Sequence, residues 1–88
     1  MEADDPVFTF PCEFPVKAMG LAYPEFDSLV VSLVRKHSPD LLEGAVHTRL
    51  SQGGRYMAVT VTIQAQSRAQ LDSIYLELTA DERILVAL

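Results

Sequence analysis

Val46-His47-Thr48-Arg49-Leu50-Ser51-Gln52-Gly53-Gly54-Arg55-Tyr56-Met57-Ala58-Val59-Thr60-Val61-Thr62-Ile63 alternates apolar and polar side chains in two arms about a glycine pair. Two adjacent glycines accept the positive φ values that a tight hairpin turn requires. A two-residue turn at Gly53-Gly54 predicts Gln52 opposite Arg55, then Leu50 opposite Met57, Thr48 opposite Val59 and Val46 opposite Val61. Those last three pairs share one face, which the valines mark as the core face. Ser51 with Tyr56, Arg49 with Ala58 and His47 with Thr60 share the other. A slip of one residue would turn Met57, Val59, Val61 and Ile63 to water, and at about 25 cal/mol per Å² of apolar area that costs several kcal/mol. The register is therefore strongly specified.

Upstream of the hairpin, Phe26, Leu29, Val30, Leu33 and Val34 recur at helix spacing. Pro24 suits a first turn, Glu25 and Asp27 favour the positive end of the macrodipole, and Arg35 and Lys36 favour the negative end. The pattern predicts a helix from Pro24 to His37, stopped at Pro39 because Ser38 is driven from helical geometry. Before it, Phe14, Val16 and Ala18 alternate with Pro15, Lys17 and Met19, a first strand from Glu13 to Gly20. Pro15 has no N–H, so it belongs where the strand begins or where its nitrogen faces no neighbour.

Downstream, Ser67-Arg68-Ala69-Gln70 has the form of a capping box, followed by Leu71, Ile74, Tyr75 and Leu78. This predicts a second helix from Arg68 to Thr79. A short last strand follows, with Ile84, Val86 and Leu88 toward the helices and Arg83, Leu85 and Ala87 away from them. The order is strand, helix, strand, strand, helix, strand. That is a ferredoxin-like split βαβ, an α+β fold of four antiparallel strands with both helices on one face and the other face open.

With 88 residues there is room for one core. Residues 1–9 read as a flexible acidic tail and residues 10–88 as a single domain, its start anchored by Phe10. The 49% hydrophobic and 22% charged composition is that of a globular chain, and no run is apolar and long enough to span a membrane. The single cysteine, Cys12, cannot bridge internally, and the N-terminus lacks a secretory signal pattern, so the expected compartment is the cytoplasm. Glu2, Asp4, Asp5 and Glu13 hold much of the net charge of −5, which leaves the folded body near neutral. General nucleic-acid affinity draws on a dense positive field and is not expected.

Phe10-Pro11-Cys12-Glu13-Phe14, Lys17, Met19-Gly20, Ala22, Pro24-Glu25, His37 and Pro39 together resemble the YbeD-like family of small bacterial proteins of unknown function. Ser51, Gly54, Tyr56, Val61-Thr62-Ile63, Ala65, Tyr75, Glu77, Leu78, Val86 and Leu88 carry the likeness to the end. The resemblance implies a βαββαβ domain similar to the ACT regulatory domains of amino-acid-metabolic enzymes, which pair into dimers and bind ligands at the seam. Genes of that family often lie beside lipoate-attachment genes, which raises an alternative role as an accessory factor in lipoate or acyl metabolism.

The strand phases place Lys17, Met19, His47, Arg49, Tyr56, Thr60, Thr62, Arg83 and Leu85 on the open face. Such a face reads either as solvated surface or as a docking surface for an acidic or carboxylate-bearing partner, or for a second copy in a homodimer. Gly20 and Pro24 stand where an ACT-type domain lets a small carboxylate approach the backbone, although a turn with positive φ would select Gly20 equally well. RNA recognition needs several stacked rings, and only Tyr56 is available, so an RNA-binding sheet face is the weakest alternative. His37, His47 and Cys12 lack metal-ligand spacing, and His37 reads as a half-buried partner at the helix end. No nucleophile elbow is present, a phosphate site of glycine cradle plus Arg and Asn is ruled out because the chain has no asparagine, and no cofactor is expected. The reading is a non-enzymatic regulatory or binding module.

Overall fold

β1 (Cys12–Leu21) and β3 (Tyr56–Ala65) run antiparallel down the middle of a four-stranded sheet, from Cys12 opposite Ala65 to Leu21 opposite Tyr56. β2 (Val46–Leu50) lies outside β3 and β4 (Val86–Ala87) outside β1, giving the order β2-β3-β1-β4. The computed structural model describes residues 9–41 and 43–88, so the expected tail lies outside the described residues apart from Thr9. α1 (Phe26–Arg35) and α2 (Arg68–Thr79) pack on one face and against each other, and a single 3-10 turn, Glu43–Ala45, leads into β2. This is the ferredoxin-like βαββαβ arrangement that the pattern predicts.

The hairpin register is the predicted one, Val46 with Val61, Thr48 with Val59 and Leu50 with Met57. The turn differs. Ser51 N–H donates to the Tyr56 carbonyl at 2.9 Å, and Gly54 N–H donates to the Ser51 carbonyl at 2.8 Å. Pairing therefore stops at Ser51–Tyr56, and Gln52 does not pair with Arg55. Ser51 Oγ also accepts from Tyr56 N–H at 3.0 Å, closing the loop one pair earlier than a two-residue turn would. Gly53 and Gly54, with φ of 88° and 75°, supply the reversal. The register survives because a four-residue loop and a two-residue loop of the same centre leave the same residues opposite one another.

α1 is shorter than the predicted Pro24–His37 span, running from Phe26 to Arg35. Glu25 makes no side-chain cap, so Pro24 and Glu25 form a turn, and Lys36 and His37 form another at the far end. The apolar stripe is as read: Phe26, Val30, Leu33 and Val34 are buried and Leu29 is half-buried. α2 has the predicted bounds, with Ser67 accepting from Gln70 N–H at 3.0 Å. Gln70 Oε1 reaches the N–H of Gln66 at 2.6 Å, one residue before the cap, and its Nε2 donates to the His37 carbonyl at 2.8 Å. One side chain thus closes the start of α2 and ties it to the end of α1.

Two further readings are corrected. Gly20 is not a positive-φ turn residue, for among the described residues only Gly53 and Gly54 have positive φ. Its α-carbon faces the helices, where a Cβ would come within 2.4 Å of both the Arg83 carbonyl oxygen and the Phe26 ring. Glycine is there because a ring and a carbonyl occupy the place of its side chain. In β4 the phase is reversed: Ala87 pairs with inward-facing Ala18, while Val86 pairs with outward-facing Met19. Leu88 exchanges two backbone hydrogen bonds with outward-facing Lys17, so Val86 and Leu88 look away from the helices, although Ile84 is buried as read. The phase shifts at Leu85, whose N–H donates to the Met19 carbonyl at 2.8 Å. Pro15 conforms to expectation. Its nitrogen points to the same side as the Lys17 N–H, beyond the last paired position of β4.

Candidate functional site

The open face carries rows of side chains set by the register. Val86, Met19, Ala58 and Arg49 form one row, and Leu88, Lys17, Thr60 and His47 form the next. Leu21 and Tyr56 continue the face toward the hairpin turn. Met19 is 40% exposed, Val86 44%, Leu21 51% and Leu88 71%, so one half of the face is an apolar patch at the β4 side. The other half carries Arg49 and His47 on β2, with Lys17 between the two halves. Val86, Leu21 and Leu88 are missing from the sequence-based face. No local signal announces Val86 and Leu88, since the phase shift at Leu85 comes from pairing with β1.

The basic groups differ in their partners. Arg83 is engaged by Asp81, with Nη2 donating to Oδ2 at 2.7 Å and Nε to Oδ1 at 2.9 Å. These charge-assisted bonds, with the Arg83 backbone N–H on the same carboxylate, hold the Asp81 carboxyl down at about 2 and push the Arg83 guanidinium further up. Arg83 is thus largely neutralised locally. Among the described residues, Lys17, His47 and Arg49 make no side-chain hydrogen bond or ion pair. Arg55, beside the hairpin turn, sits 5.8 Å from the centroid of the Tyr56 ring, so the one aromatic face suited to stacking a base already has a cation beside it.

Met19, Arg49 and Tyr56 meet in a shallow hollow of about 170 Å³ with Leu50, Ser51 and Ala58. A wider hollow of about 650 Å³ lies at the other end of the sheet and includes His47, Thr62, Gln64 and Glu13, but none of the other candidate residues. Gly20 points to the helix side, and Pro24 stands exposed in the turn before α1, so the structure does not gather these two with Lys17, Met19, His47, Arg49 and Tyr56. Phe26 fills the space beside Gly20.

Elsewhere, polar groups are committed to structure. His37 Nε2 lies 3.4 Å from Glu77 Oε1, and Lys36 Nζ lies 3.5 Å from Glu77 Oε2, which bridges the end of α1 to α2. Tyr75 donates its hydroxyl proton to Leu88 O, and burial pushes its pKa up. Among the described residues no three His, Cys, Asp or Glu side chains cluster as metal ligands, and no helix is long and apolar enough to cross a membrane.

Residues 5–88 match the family described as "Protein of unknown function (DUF493)". A UPF0250 protein of Chromobacterium violaceum is 49% identical over 82 residues, covering 93% of this chain and 92% of the relative. Another from Paraburkholderia phytofirmans is 44% identical over 85 residues, covering 97% and 96%. The solution structure of protein HP0495 from H. pylori superposes with a TM-score of 0.71 at 12% identity, covering 100% of this chain and 94% of that one, a likeness of fold. The chain belongs to the DUF493, or UPF0250, family of small bacterial proteins of unknown function, the family that includes YbeD.

Proposed function

We propose that this protein is a non-enzymatic binding module whose open sheet face captures an acidic, carboxylate-bearing protein partner. The observation that supports this is the contrast among its basic groups: Lys17, His47 and Arg49 stand without carboxylate partners among the described residues, beside exposed Met19, Leu21, Val86 and Leu88. An apolar patch beside unpaired basic groups matches a partner that brings both apolar area and negative charge, the first for affinity and the second for orientation and encounter rate. A small carboxylate held at Gly20 is less well supported, because Phe26 and the Arg83 carbonyl already fill that space.

The test is capture from a bacterial extract by the immobilised wild type and by the double variant Lys17→Glu, Arg49→Glu, with melting curves for both. The reading expects equal melting temperatures, a captured protein that disappears in the variant, and capture by the wild type that weakens as salt rises. An identical captured set from both proteins at every salt concentration would overturn it.

A further inference from the structure

The two edges of the sheet are built differently. β4 is two residues long, shifts phase at Leu85 and is covered on its helix side by α2. Short, irregular and covered edges are how proteins keep other strands from adding to a sheet. β2 has none of these devices. It is five residues long, keeps one register against β3 throughout, and contains no proline and no helix-side charge. The helices lie over β1, β3 and β4, so Thr48 and Leu50 are exposed on the helix side as well, Leu50 to 56%.

The ladder also fixes which backbone groups are free. Ser51 and Tyr56 form a hydrogen-bonded pair, and antiparallel ladders alternate, so Arg49 and His47 are the next residues to bond β3. The N–H and C=O groups of Val46, Thr48 and Leu50 therefore point off the edge. Resting on the binding-module reading above, we infer that the partner docks by adding an extended strand to β2, with acidic side chains on the open face toward His47 and Arg49, and apolar ones toward Val46 and Leu50. A second copy of this chain fits poorly. Antiparallel self-pairing centred on Thr48 sets His47 against Arg49 twice, leaving Arg49 without a carboxylate, and a shift toward Leu50 sets Arg49 against Arg49, where the two like charges destabilise pairing. Alternating acid and apolar residues meet both sides of the strand, and backbone bonds supply sequence-tolerant affinity.

The test uses the capped peptide Thr-Glu-Val-Glu-Val-Glu-Thr, a block-order peptide of the same composition, and isotope-labelled protein followed by NMR. The alternating peptide is expected to shift and protect from exchange the amides of Val46, Thr48 and Leu50, and to bind about tenfold more tightly than the block peptide. Thr48→Pro, which removes an outward N–H and no ladder bond, and Thr48→Lys, which sets a charge on the helix side of the edge, should each abolish these effects with melting temperature unchanged. Using both keeps the test valid should one fail to fold. Equal affinity for the two peptides, or no response at Thr48, overturns strand addition. Captured partner lost in Lys17→Glu, Arg49→Glu but retained in both Thr48 variants also overturns it, while leaving the face reading intact.

Discussion

The two faces of β1 carry alternate residues of one strand and lead opposite lives. Val16, Ala18 and Gly20 face the helices and are buried, and Gly20 gives up its side-chain space to Phe26. Lys17, Met19 and Leu21 face outward, and the two apolar residues among them remain 40% and 51% exposed. Stability resides on the first face, where every contact is close. The second is left unspent by the fold, and surface that folding does not need is surface available for binding.

The comparison breaks first at its tightest point. Phe26→Ala is expected to cost about 3–5 kcal/mol in urea unfolding, by lost burial and the cavity left at Gly20. A loss under about 1 kcal/mol would mean that the inner face is looser than its contacts indicate. Gly20→Ala should cost about 1–3 kcal/mol through overpacking against Phe26 and the Arg83 carbonyl, and less in the Phe26→Ala background, where the ring is gone. Ser67→Ala removes the α2 cap and should cost about 1 kcal/mol, read as a fall in denaturation midpoint. On the outer face, Lys17→Glu and Arg49→Glu should each change stability by no more than about 0.5 kcal/mol. A larger loss would place these side chains in the fold rather than at its surface. The smallest effect is the acid limb of stability. Asp81 is held at about 2 against an ordinary 3.8, so its contribution is complete above pH 4 or so and drains away as pH falls toward 2. Asp81→Asn should flatten the acid melting profile in that window, with a small loss of stability at neutral pH that shrinks to nothing as pH falls toward 2.

Most of the fold was legible because its signals are local. The Ser67 cap, the stripe of Phe26, Val30, Leu33 and Val34, and the alternation of β3 each depend on residues a few positions apart. The candidate face was legible in part: Lys17, Met19, His47, Arg49 and Tyr56 are on it, since parity along β1, β2 and β3 carries no accumulated error. Arg83 was placed on that face by parity alone, which does not reveal that Asp81, two residues away, binds its guanidinium. Val86 and Leu88 were assigned to the wrong side because one displaced residue at Leu85 inverts everything after it.

The amino-acid sequence on its own determined the element order, the hairpin register and the span of α2, because periodicity, glycine φ and capping act within a turn or a pair of strands. Tertiary structure alone decided how far the helices reach across the sheet, which edge stays bare, and why position 20 has no side chain. Those outcomes depend on contacts between segments far apart in the chain, such as Gly20 with Phe26 and Arg83, or Gln70 with His37, which no local pattern encodes.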